Sequence, residues 1–187
     1  MTPTQLTTLH DYIVAKPEFD AIPHNSDGDF AIALALNLPD ASNTQVWNTT
    51  TPTDKIFDAL TWSNYTPNDA PDGTAIYTNR VLVAQTKQMN LQNMLSGRQT
   101  INMAHVQTRA GLRDAVVNLP TGAGGANVQV AGASGVTALT ACLRPEMATR
   151  FEKLFSAGPS TTGSVTADVL TIEGQVSYQD VQAALGY

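Results

Sequence analysis

Residues 74–95 constrain the fold more than any other part of this chain. Thr74 can cap a helix, and no proline interrupts the residues that follow. Ile76, Tyr77, Leu82, Val83, Met89, Leu91, Met94 and Leu95 supply apolar positions, and Gly97 is the residue type that closes helices in the left-handed conformation. The spacing is irregular, which predicts a long helix covered on more than one side. Residues 102–119 predict the next helix, with Val106, Ala110, Val116 and Val117 towards the core. Gly111 inside it costs about 1 kcal/mol relative to Ala. Either a neighbouring helix approaches closely there, or the helix begins only near Gln107.

The remaining segments read as shorter helices separated by turn formers. Residues 4–15 place Leu6, Leu9 and Ile13 on one face, and Pro17 ends them. Residues 26–37 carry Ser26 as a cap with Asp29 three residues on, then Phe30, Ile32, Leu34 and Leu36, and Pro39 closes them. Thr51-Pro52 predicts a third start, with Ile56, Phe57, Leu60 and Trp62 buried. Residues 63–73 read as a surface loop. Residues 120–135 are Gly/Ala-rich and predict a flexible loop with a short strand at 128–130. Residues 136–157 read as helical with a break at Pro145, 159–168 as a Ser/Thr/Gly linker, and 169–172 as a short strand. Ser177 caps a last helix over 177–185, with Asp180 three residues on. The expected fold is therefore mainly α. It is a single domain over 1–187, a bundle of about six or seven helices, with flexible segments at 120–135 and 159–168. A C-terminal arm at 169–187 carries at most a short β element.

Chemistry-bearing groupings are sparse. His24, Asp27 and Asp29 sit together in HNSDGDF, but a calcium loop needs ligands at more positions and a closing Glu. Cys142 lies between Leu139 and Leu143, where a free cysteine acts as a small hydrophobe. His10, His24 and His105 show no metal-binding spacing, and GAGGANVQVAGASG matches neither phosphate-loop pattern. No catalytic residue, cofactor or metal is expected, and the chain does not read as an enzyme. Charged residues make up 14%, against the usual ~25%. A neutral polar surface costs less to desolvate than a charged one, which favours burial against neighbours. Arg98, Arg109, Arg113 and Arg150 are the candidate subunit-interface residues, because the planar guanidinium bonds carboxylates and carbonyls bidentately. Trp47 and Trp62 are expected core anchors. A net charge of −6 argues against gripping phosphate, although an acidic surface can line a DNA passage. One cysteine allows no internal disulfide, and neither a signal peptide nor a membrane helix is expected.

Several segments carry a resemblance: KQMNLQNML-x-GR at 87–98, RAGLRDAV at 109–116 with a Gly/Ala-rich run after it, TRFEKLFSAG at 149–158 and EGQVSYQDVQAAL at 173–185. Together they resemble a family of tailed-bacteriophage virion structural proteins. The resemblance implies a head-to-tail connector, an adaptor or neck protein forming a homo-oligomeric ring of about twelve copies. Its partners would be further copies of itself, the portal protein above and tail proteins below. DNA would pass through the ring without sequence-specific binding, and no membrane would be involved. It would be made in the host cytoplasm and end at the head–tail junction of the virion. Other positions fit the same resemblance: tail terminator, tail-associated protein, capsid decoration protein, or an assembly factor absent from the finished particle. A mainly helical fold would favour the connector, since terminators, tube proteins and decoration proteins tend towards β structure.

Overall fold

A computed structural model of the chain describes residues 1–65, 75–117, 119 and 133–186. The expected strand at 128–130 and most of the loops at 63–73 and 120–135 lie outside the described residues. In chain order the elements are α1 (Pro3–Val14), α2 (Pro17–Asp20), α3 (Ser26–Leu36), β1 (Thr51–Pro52), α4 (Thr53–Asp58), a 3-10 turn (Trp62–Tyr65) and α5 (Ala75–Leu95). They continue with β2 (Thr100–Ile101), α6 (Val106–Val116), α7 (Ala133–Thr140), α8 (Arg150–Leu154), β3 (Ser156–Thr162), β4 (Val165–Leu170) and α9 (Tyr178–Leu185). Strands β1 and β2 pair antiparallel, Thr51 opposite Ile101, and β3 and β4 form a second two-stranded sheet. The chain divides into two compact units. One comprises Met1–Val46, Glu146–Gly158 and Asp168–Tyr187, the other Trp47–Pro145 and Pro159–Ala167.

The first unit is a helical core closed by the last helix. Thr2 and Gln5 form a capping box that starts α1, the Thr2 backbone N–H donating to Gln5 Oε1 at 2.7 Å. Asn25, rather than Ser26, caps α3 by accepting from the Asp27 and Gly28 N–H groups. Leu9 and Ile13 of α1 and Ile32 and Leu36 of α3 pack with Phe151, Phe155, Val176 and Val181. Phe151 and Phe155 meet edge to face at 5.2 Å. Asn37 pairs with the backbone of Val176 in both directions, each bond 2.9 Å. Asp168, nearly buried, accepts from Lys153 Nζ at 2.7 Å and Ser156 Oγ at 2.6 Å.

The second unit is built on the long helix. Ala84, Leu91 and Leu95 of α5 are buried, as are Leu112, Ala115 and Val116 of α6. Gly97 follows α5 at φ +72°, as its sequence position foretold. Trp47 is fully buried and donates its Nε1–H to the Ser160 carbonyl at 2.8 Å. The Tyr65 hydroxyl donates to the Ala115 carbonyl at 3.0 Å, fixing the 3-10 turn against α6.

These elements correct the expected fold class. Among the described residues there are nine α-helices and four strands in two small antiparallel sheets, so the chain is mixed α/β rather than a mainly helical bundle. The largest departure is at 156–170. The expected end of a helix and the expected linker are instead the β3–β4 hairpin, whose two-residue turn puts Gly163 at φ +63°. Glycine is favoured at the first central position of such turns. Residues 136–157 hold two short helices, and the chain between them turns at 141–142 and bends at Pro145. Pro52 lies in β1, and α4 begins one residue later. Trp62 is exposed, stacked on Phe57 at 5.7 Å, and Val106 is also exposed. The C-terminal helix α9 packs on α1 and α3 of its own chain, with Val181 fully buried.

Candidate functional site

The two segments that carry the strongest motif, 87–98 and 109–116, meet in space. Helix α5 packs along α6, and an open groove of about 810 Å³ runs beside their contact. Leu82, Val83, Thr86, Lys87, Asn90, Asn93, Met94 and Arg98 line it from α5 and the turn after it. Gly111, Asp114 and Ala115 line it from α6. Leu82 and Val83 are 54% and 43% exposed, so the groove leaves aliphatic surface open to water.

Local sequence explains this geometry. Gly111 lets α6 approach: a Cβ there would stand 3.2 Å from the Met94 sulfur. The close crossing is therefore the reason for a glycine inside a helix. Lys87 donates its Nζ to the backbone carbonyl of Asp114, one of the last four carbonyls of α6, which have no partner within the helix. A cation at a helix C-terminus also complements the helix dipole. Arg98 stands exposed at one end of the groove.

The four candidate arginines differ in their surroundings. Arg98 and Arg113 are exposed on the second unit, Arg150 is half-buried on the first, and Arg109 is completely enclosed. Arg109 Nη1 donates to the carbonyls of Met103 at 2.5 Å and Ala104 at 2.8 Å. Its Nε donates to Thr162 Oγ1 at 3.0 Å and its Nη2 to Ser160 Oγ. The guanidinium carbon lies 4.4 Å from the centroid of the Trp47 ring, a cation–π stack. Burial pulls its pKa down from the ordinary value. Its donors are engaged inside the unit, so Arg109 holds β3 against α6 and does not face a partner.

The other chemistry-bearing residues are also placed. Cys142 is buried, donates to the Ala138 carbonyl at 3.1 Å, and its thiol is pushed by burial up to about 12. A thiol so held is not a nucleophile at neutral pH. Asp29 is buried in α3, whereas His24 and Asp27 are exposed. No group of three or more His, Cys, Asp or Glu side chains that could hold a metal occurs among the described residues.

Two features went unread in the sequence. Residues 75–145 contain six Lys or Arg and a single acid, Asp114, a formal +5 in a chain of −6. The first unit carries eleven acids and three bases, the second five acids and seven bases. The charges are spaced far enough apart that no run of like charge marks them. The second feature is an exposed apolar ridge on α3, described below.

Comparison with family models, curated proteins and solved structures finds no match to this chain.

Proposed function

We propose that this protein is a structural component of a tailed-bacteriophage particle, acting by protein–protein contact as a head-to-tail connector in a ring beneath the portal. One observation carries the reading: the segments that bear the resemblance, 87–98 and 109–116, line a single open groove, to which the preceding turn of the same helix adds the exposed aliphatic side chains Leu82 and Val83. Exposed apolar surface rimmed by polar groups is the mark of a protein interaction site. The low charged fraction of the chain, 14%, fits a surface that is desolvated on assembly.

The mixed α/β fold withdraws one support for the connector position, because a helical bundle no longer sets it apart from β-rich tail and decoration proteins. The position then stands on the resemblance, and particle labelling separates the alternatives. Gold-conjugated antibody against the protein, applied to purified virions and viewed by electron microscopy, should give one cluster at the head–tail junction. Label spread over the capsid would make it a decoration protein, and label along the tail a tail component. Absence of the chain from purified virions by mass spectrometry would make it an assembly factor and overturn the virion reading.

A further inference from the structure

The chain presents an exposed apolar helix face and an open groove. Helix α3 buries Ile32, Ala33 and Leu36 and turns Phe30 and Leu34 outward. With Leu38 just past its end, these residues repeat every four positions. They are 54%, 55% and 54% exposed. A spacing of i, i+4 sets side chains one above another along a helix, so they form a ridge. Exposed Asp27 lies at its N-terminal end. The first 46 residues contain six acids, of which Asp29 is buried, and one lysine. The α5–α6 groove supplies the reverse. It has aliphatic walls from Leu82, Val83 and Met94, exposed Arg98 at one end, and a lining with two cations, Lys87 and Arg98, against one carboxylate, Asp114.

We infer that the α3 ridge of one copy docks in the α5–α6 groove of another, so that the chain associates head to tail with itself. Amphipathic helices bind apolar grooves through anchors of this spacing, and opposite charge sets orientation and speeds encounter. Each copy keeps one free ridge and one free groove, which makes the contact heterologous. Such a contact propagates until the rotation between copies closes a ring or winds a filament. The groove suits protein better than nucleic acid. Among the described residues its lining has no aromatic side chain for base stacking and includes a carboxylate, Asp114. The inference deepens the assembly reading above. It needs only purified protein to test, whereas the particle position needs virions, so the two can fail separately.

The test is sedimentation of the purified full chain with three variants, each checked for native circular dichroism. The wild type should associate with rising concentration and dissociate as salt is raised. Leu34→Glu destroys the ridge and Leu82→Glu the groove, and each alone should be monomeric, with association weakened at least about tenfold. Mixed one to one, they should form a dimer and nothing larger, because one intact ridge and one intact groove remain. Arg98→Glu, on an exposed side chain, should weaken association without touching the fold. A wild type that stays monomeric overturns the proposal, as does a Leu34→Glu or Leu82→Glu protein that associates like wild type. DNA binding that Arg98→Glu abolishes, in a chain that does not self-associate, assigns the cationic edge to phosphate instead and also overturns it.

Discussion

Arg109 is a charge taken out of water without a carboxylate partner among the described residues, so carbonyls, hydroxyls and the face of Trp47 replace its hydration. Arg109→Glu would set a carboxylate against the Met103 and Ala104 carbonyls. It is expected to destabilise the chain by about 4 kcal/mol or more, read as a shift in denaturation midpoint. Arg113→Glu, on the exposed face of the same helix, should leave stability nearly unchanged. Two buried acids give a pH signature. The Cys142 thiol and Tyr65 phenol are each pushed by burial up to about 12, from ordinary values of 9.0 and 10.0. Above about pH 9 the unfolded chain loses protons that the folded chain keeps. Their contribution is therefore complete below that pH and is lost as pH rises towards 12. Denaturation midpoints measured from pH 7 to 11 should fall along this course, and Cys142→Ala should flatten its early part. A thiol reagent should reach Cys142 only on unfolding. Cys142 was legible in the sequence because its neighbours Leu139 and Leu143 already describe its surroundings. Arg109 was not: within its helix it resembles Arg113, and its deciding partners, Trp47, Ser160 and Thr162, lie more than fifty residues away.

Elements defined by local signals were readable, and those defined by partners were not. Proline and glycine punctuation marked α1, α3 and α5, a Ser177 cap marked α9, and the Ser177–Asp180 box is present as the spacing implied, with Ser177 Oγ accepting from the Asp180 N–H at 3.2 Å. The β3–β4 hairpin was missed although TTGSVT holds a Gly-Ser turn between β-branched residues, a recognised hairpin signal. Gly158 and Pro159 hid it, since together they read as the stop of a helix followed by a linker. Pro159 is tolerated because each strand of a two-stranded sheet is an edge. Gly163→Val tests the turn. The left-handed φ of +63° is costly for a β-branched residue, and a Cβ there already stands 3.2 Å from Arg113 Nε. A loss of about 2 kcal/mol is expected by thermal or chemical denaturation. The groove was half legible. Gly111 signalled a close helix crossing, yet nothing local announced that Leu82 and Val83 would stay exposed beside it.

Charge and connectivity are properties of the molecule as a whole. A single net value of −6 concealed an acidic first unit and a slightly basic second one, and excluding nucleic acid by net charge alone overlooked that division. The chain passes between its two compact units four times, at 46–47, 145–146, 158–159 and 167–168. Two of those passages bound the Ser/Thr/Gly stretch at 159–168, while those at 46–47 and 145–146 carry no linker composition. The interlacing also orders events during synthesis. The buried faces of α1 and α3, made early, are only partly covered until α9 leaves the ribosome, since Val181 completes their core. A nascent chain therefore stays incompletely folded through most of translation, and a ribosome that stops short releases a product without a finished first unit. If the ridge on α3 is the surface by which copies join, truncated products lack a properly seated ridge and are screened out of the assembly by their own failure to fold.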